Sequence, residues 1–107
     1  MKVFSNEQLA VYQVIGQTLR VHWDFEEQSI LRPDETDETI FVCKEAVCDK
    51  SDDRNTLIEK IMASEYSTGA ELAAINNGGE DYEAYQSFRQ MAKDLADGWI
   101  AQRLISY

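Results

Sequence analysis

Between Leu19 and Glu26 apolar and polar residues alternate without a break, with Leu19, Val21, Trp23 and Phe25 set against Arg20, His22, Asp24 and Glu26. A period of two predicts an antiparallel strand with one face buried and the other solvated. Ile30 and Leu31 extend the pairing. Upstream, Leu9 to Ile15 reads LAVYQVI, rich in strand-forming residues, and Gly16-Gln17 supplies a two-residue hairpin turn. Downstream, Thr39 to Val47 carries the short apolar run Ile40, Phe41, Val42 and Cys43 and predicts a third strand. Between the last two strands, Arg32 to Glu38 reads as a loop, because Pro33 and the acids Asp34, Glu35, Asp37 and Glu38 disfavour regular structure.

The period changes after Asp53. Leu57, Ile58, Ile61 and Met62 recur at helical spacing behind the capping residues of 49–53. A second start at Thr68-Gly69-Ala70-Glu71 has the form of a capping box ahead of Leu72 and Ile75, and Asn76-Asn77-Gly78-Gly79 ends that helix. A long amphipathic helix then begins near Glu80 and Asp81, whose charges suit the positive end of its dipole. Its apolar stripe is Tyr85, Phe88, Ala92, Leu95 and Trp99, while Arg89, Gln90, Lys93, Asp94 and Asp97 occupy the other side. Gly98 costs about 1 kcal/mol relative to alanine inside a helix. The pattern nonetheless continues through Ile100, Gln102, Arg103 and Leu104, so the helix is expected to run on. The whole predicts a single α+β domain over residues 1–107: an N-terminal three-stranded antiparallel meander packed against two or three C-terminal helices.

Composition permits such a core without staples, since 44% of the 107 residues are hydrophobic. The net charge of −10, from 20 acids against 10 bases, opposes direct binding to nucleic-acid phosphates or anionic lipid. The N-terminus turns polar too soon for a signal peptide and no apolar run reaches membrane-spanning length, so a cytoplasmic location away from the membrane is expected. Cys43 and Cys48 stand five apart, on opposite faces if extended, which predicts free thiols.

Candidate chemistry is sparse. Cys43, Cys48 and His22 fall short of four zinc ligands. A calcium loop begun at Asp34 puts Thr39 at the position that requires glycine, and one begun at Asp49 puts Arg54 there and Lys60 at the terminal acid. Gly78-Gly79 lacks the remaining residues of a phosphate-binding motif. His22, the single histidine, falls on the polar face of its strand and reads as a surface residue; a His22–thiol or His22–acid enzyme is the catalytic alternative. No cofactor, metal or catalytic residue is therefore expected.

Two features favour contact with other macromolecules. Tyr82 and Tyr107, near the ends of the last helix, suit an interface, whereas Phe88 and Trp99 belong to the core. The segment Asp24 to Glu38 holds seven acids against Arg32, with Asp34, Glu35, Asp37 and Glu38 at its tip. The expected role is a non-enzymatic acidic protein–protein interaction or assembly accessory protein with an unidentified protein partner and a capacity to self-associate. The alternative is a nucleic-acid mimic that inhibits a DNA-binding protein through residues 24–38.

Across Ala73-Ala74-Ile75-Asn76-Asn77, Tyr82, Tyr85-Gln86, Phe88-Arg89, Ala92-Lys93 and Ala96-Asp97-Gly98-Trp99, the last third of the chain resembles small prophage-type proteins of gut bacteria. The resemblance implies a phage accessory or assembly setting and carries no activity or functional residue with it.

Overall fold

The computed structural model describes residues 2–31, 33 and 37–106. Four strands form one antiparallel sheet: β1 (Lys2–Ser5), β2 (Tyr12–Ile15), β3 (Thr18–Leu31) and β4 (Asp37–Asp49), in the spatial order β1-β4-β3-β2. Three helices follow, α1 (Arg54–Glu65), α2 (Thr68–Asn77) and α3 (Gly79–Ser106). The three-strand meander is present as β2, β3 and β4. The fourth strand, β1, is a correction: it is four residues long, too short to show a period, and it pairs with Lys44 to Phe41 at the far edge.

Local chemistry explains most boundaries. Gly16 turns β2 into β3 at φ +62°, and Ile15 pairs with Thr18 across the two-residue loop. The Asp53 carboxylate caps α1 by accepting from the Thr56 amide at 2.8 Å. The cap of α2 is Ser67, one residue before the expected Thr68; its hydroxyl accepts from the Ala70 amide at 3.1 Å. Gly78 ends α2, and α3 runs unbroken through Gly98 for 28 residues, about 42 Å of helix.

The helices cover one face of the sheet. Leu19, Val21, Trp23, Ala46 and Cys48 meet Leu57, Ile58, Ile61 and Met62 of α1 and Tyr85, Ala92, Ala96 and Trp99 of α3. Rings join the layers: the Trp23–Phe88 centroids lie 6.0 Å apart and Tyr66–Phe88 5.6 Å. Of the described α2 residues only Ala74 is buried; Leu72 and Ile75 are exposed. A helix held by one small residue leans on its polar contacts, here the Tyr85 hydroxyl donating to Glu71 Oε1 at 2.6 Å.

Gly98 has a tertiary purpose. The Tyr12 hydroxyl donates to the Leu95 carbonyl at 2.6 Å, and a Cβ on Gly98 would stand 2.4 Å from that hydroxyl. The cost in helix propensity is offset by a hydrogen bond that ties β2 to α3.

Candidate functional site

The inward alternation of β3 breaks at Asp24. Trp23 pairs with Lys44 and Glu26 with Val42, so Asp24 and Phe25 together oppose Cys43 in a β-bulge. Asp24 adopts φ +58°, a conformation that aspartate tolerates better than most residues. The extra residue moves Phe25 out of the inward series, and it is 36% exposed rather than in the core. Glu26 now shares a face with Val42 and Trp23, the reverse of the simple alternation.

Beyond Glu27 the sheet narrows to two strands among the described residues. β2 pairs with β3 only over Thr18–Val21 and β1 with β4 only over Phe41–Lys44, whereas β3 and β4 continue to the Leu31–Asp37 pair. The result is an arm, Glu27–Leu31 against Asp37–Phe41, whose part beyond Glu27 is two-stranded. The molecule measures 49 × 40 × 17 Å, and its radius of gyration of 16.2 Å exceeds the roughly 13 Å of a compact chain this long. Every residue from Asp24 to Leu31 is exposed, with Leu31 at 72%. Apolar and acidic residues face each other across the arm: Glu27 opposite Phe41, Ile30 opposite Glu38, Leu31 opposite Asp37.

Asp37 and Glu38, expected in a loop, are therefore strand residues of this arm. Asp34, Glu35 and Tyr107 lie outside the described residues. Tyr82 is 41% exposed on the first turns of α3.

The opposite face of the sheet holds a second group that the alternation misread. Because β1 and β2 lie on opposite edges, residues 6–11 must cross β4 and β3, and the helices leave only this face open. The crossing buries His22 completely. Its backbone amide donates to the Val11 carbonyl at 2.7 Å, and Nδ1 lies 2.7 Å from the Ala10 carbonyl, an acceptor, so Nδ1 carries a proton. Nε2 is 2.9 Å from Glu45 Oε2, and Arg20 Nη1 donates to Glu45 Oε1 at 2.9 Å. His22 is thus a buried residue of a polar cross-strand cluster, not a surface one. Both ring nitrogens are engaged within the fold, and the ring is fully buried. A long-range crossover has no local sequence signal; the pairing of His22 with Glu45 follows only once the register is known.

The thiols are free and buried, on opposite faces of β4. Burial pushes Cys48 up to about 11, with Lys60 opposing and Asp52 adding. Burial, reinforced by Glu45, also raises Cys43. Thiols held in this way are poor nucleophiles. Among the described residues no group of three or more His, Cys, Asp or Glu is placed to hold a metal ion, and no helix is long and apolar enough to cross a membrane.

No protein-family model, curated protein or solved structure matches the chain.

Proposed function

We propose that this chain is a non-enzymatic interaction protein whose β3–β4 arm receives an extended, basic segment of a partner protein. The observation that supports it is the free outer edge of β3 from Asp24 to Leu31, which among the described residues pairs with β4 alone. An unpaired edge is a template for an added strand. Asp24, Glu26 and Glu27 supply negative charge along it, and Phe25, Ile30 and Leu31 supply apolar area. The same charges oppose pairing with a second copy, which favours a lysine- or arginine-bearing partner over self-association.

The mimic of nucleic acid draws on the same acids but has less support. A surface imitating phosphates has no use for Phe41, Ile30 and Leu31 alternating with the carboxylates along the arm.

Titration of the labelled protein with an extended peptide alternating lysine and valine tests the proposal. The amides of Asp24 to Leu31 on the outer edge should gain exchange protection, and Glu26→Lys with Glu27→Lys should remove it. Protection elsewhere, or binding indifferent to those reversals, would overturn the assignment.

A further inference from the structure

We propose that the recess between Lys50, Ser51, Trp99 and Arg103 binds a small organic anion, one phosphate or carboxylate group carried on a compact apolar body. The recess has a volume of about 300 Å³ and lies where the turn after β4 meets the last turns of α3. This lies at the low end of small-molecule sites, roughly 300–1,000 Å³.

The pairing of charges singles this place out. Acids outnumber bases two to one in the chain, and four cations have an acid beside them, Arg20 with Glu45, Lys44 with Asp24 and Glu65, Arg54 with Asp97 and Lys60 with Asp52, whereas Lys2, Lys50, Arg89, Lys93 and Arg103 have none among the described residues. Of the cations with no carboxylate within 4.0 Å among the described residues, Lys50 and Arg103 are the two that line one recess. The nearest acids in the chain are committed elsewhere. Asp49 Oδ1 accepts from the Ser51 amide at 2.9 Å, the Ser51 hydroxyl at 2.6 Å and Gln17 Nε2 at 2.9 Å. Asp52 Oδ2 accepts from Lys60 and from the Asp49 amide.

The cations are also held in place. Arg103 Nη1 donates to the Lys50 carbonyl at 3.0 Å and to the Asp52 carbonyl at 2.9 Å, and Trp99 Nε1 donates to the same Lys50 carbonyl at 3.4 Å. Those contacts fix the Arg103 head and leave its Nε and Nη2 hydrogens without an acceptor among the described residues. A guanidinium so presented suits a planar or tetrahedral oxyanion, and the ammonium of Lys50 adds a mobile point charge. The aliphatic stems of Lys50 and Arg103, lying over the buried indole of Trp99, make the remaining wall apolar, which calls for an apolar body behind the anionic group. The chain's overall negative charge acts at long range and is screened over about 8 Å at physiological salt, so the two adjacent cations dominate inside the recess.

Phenyl phosphate, inorganic phosphate and phenol, titrated separately into the full chain at fixed ionic strength, test this by the indole N–H resonances. Phenyl phosphate should shift the Trp99 signal saturably while leaving that of Trp23 in place. Inorganic phosphate should bind about tenfold more weakly and phenol not measurably, because each lacks one half of the recognition. Lys50→Glu, whose side chain makes no bond within the described fold, should abolish the shift with an unchanged amide spectrum. A Trp99 signal that does not saturate, a response equal for phenol, or binding that survives Lys50→Glu would overturn the proposal.

Discussion

The two ends of β3 belong to one strand of 14 residues and have opposite fates. From Thr18 to Trp23 the strand lies under α1 and α3, and Leu19, Val21 and Trp23 are buried. From Asp24 to Leu31 it pairs with β4 alone among the described residues, and every residue is exposed. The bulge at Asp24-Phe25 marks the border, and there the inward series slips by one residue. Alternation therefore guarantees a two-sided strand but says nothing about whether a second layer reaches it. A two-stranded ribbon is marginal by itself in water, so the arm depends on the covered half for its register.

Substitutions across that border sharpen the contrast. Trp99→Ala should cost the most, about 3–5 kcal/mol in urea denaturation, since it empties the largest fully buried position. A loss under 1 kcal/mol would mean that α3 does not seal the covered half. Glu45→Ala should cost about 2–3 kcal/mol, less than a fully buried ion pair because Arg20 is partly exposed, and should expose the His22 amide to exchange as residues 10–11 loosen. An unchanged exchange rate at His22 would refute the strapping role given to that crossing.

Gly98→Ala gives a smaller and more diagnostic effect. The new methyl displaces the Tyr12 hydroxyl, and losing the bond to Leu95 should outweigh the gain in helix propensity, for a net loss of about 1 kcal/mol. In a Tyr12→Phe background the same change should become neutral or stabilising. Equal effects in both backgrounds would show that the two sites do not couple.

Acid should act at the hairpin end of the covered half. Asp49 is held down to about 2 by the Ser51 hydroxyl and amide and by Gln17. A carboxyl depressed on folding contributes stability that is fully present above its ordinary value near 3.8 and lost as pH falls toward 2. Asp49→Asn should flatten stability across that window; a pH profile identical to the parent's would remove Asp49 from the account. Smallest of all, Leu31→Ser should change global stability by no more than about 0.5 kcal/mol, because the residue is already largely in water. A loss above 1 kcal/mol would show that the arm is packed.

Sequence reading recovered the covered half well where periodicity and capping are local. The meander, the buried face of α1 and the stripe of α3 each follow from residues within a few turns or pairs of one another. It failed on β1, on His22 and on Phe25, for three separate physical reasons: a strand too short to have a period, burial by a distant crossing, and one inserted residue. For the interaction surface, the acids of the segment were legible, but their placement on a projecting strand pair was not. Asp37 and Glu38 read as loop because acidic composition outweighs strand propensity until the partner strand is known. The recess at Lys50 and Arg103 left no trace in the sequence, since 53 positions separate the two cations.

What the chain determined by itself is the class of fold and the faces of its longer elements, because hydrophobic periodicity and caps act within a single helix or strand. What tertiary structure alone decided is which polar residues are buried, which apolar ones remain wet and which charges lack partners. Those outcomes depend on the order of strands in the sheet and on the reach of the helix layer, and both are set by contacts between residues far apart in the chain.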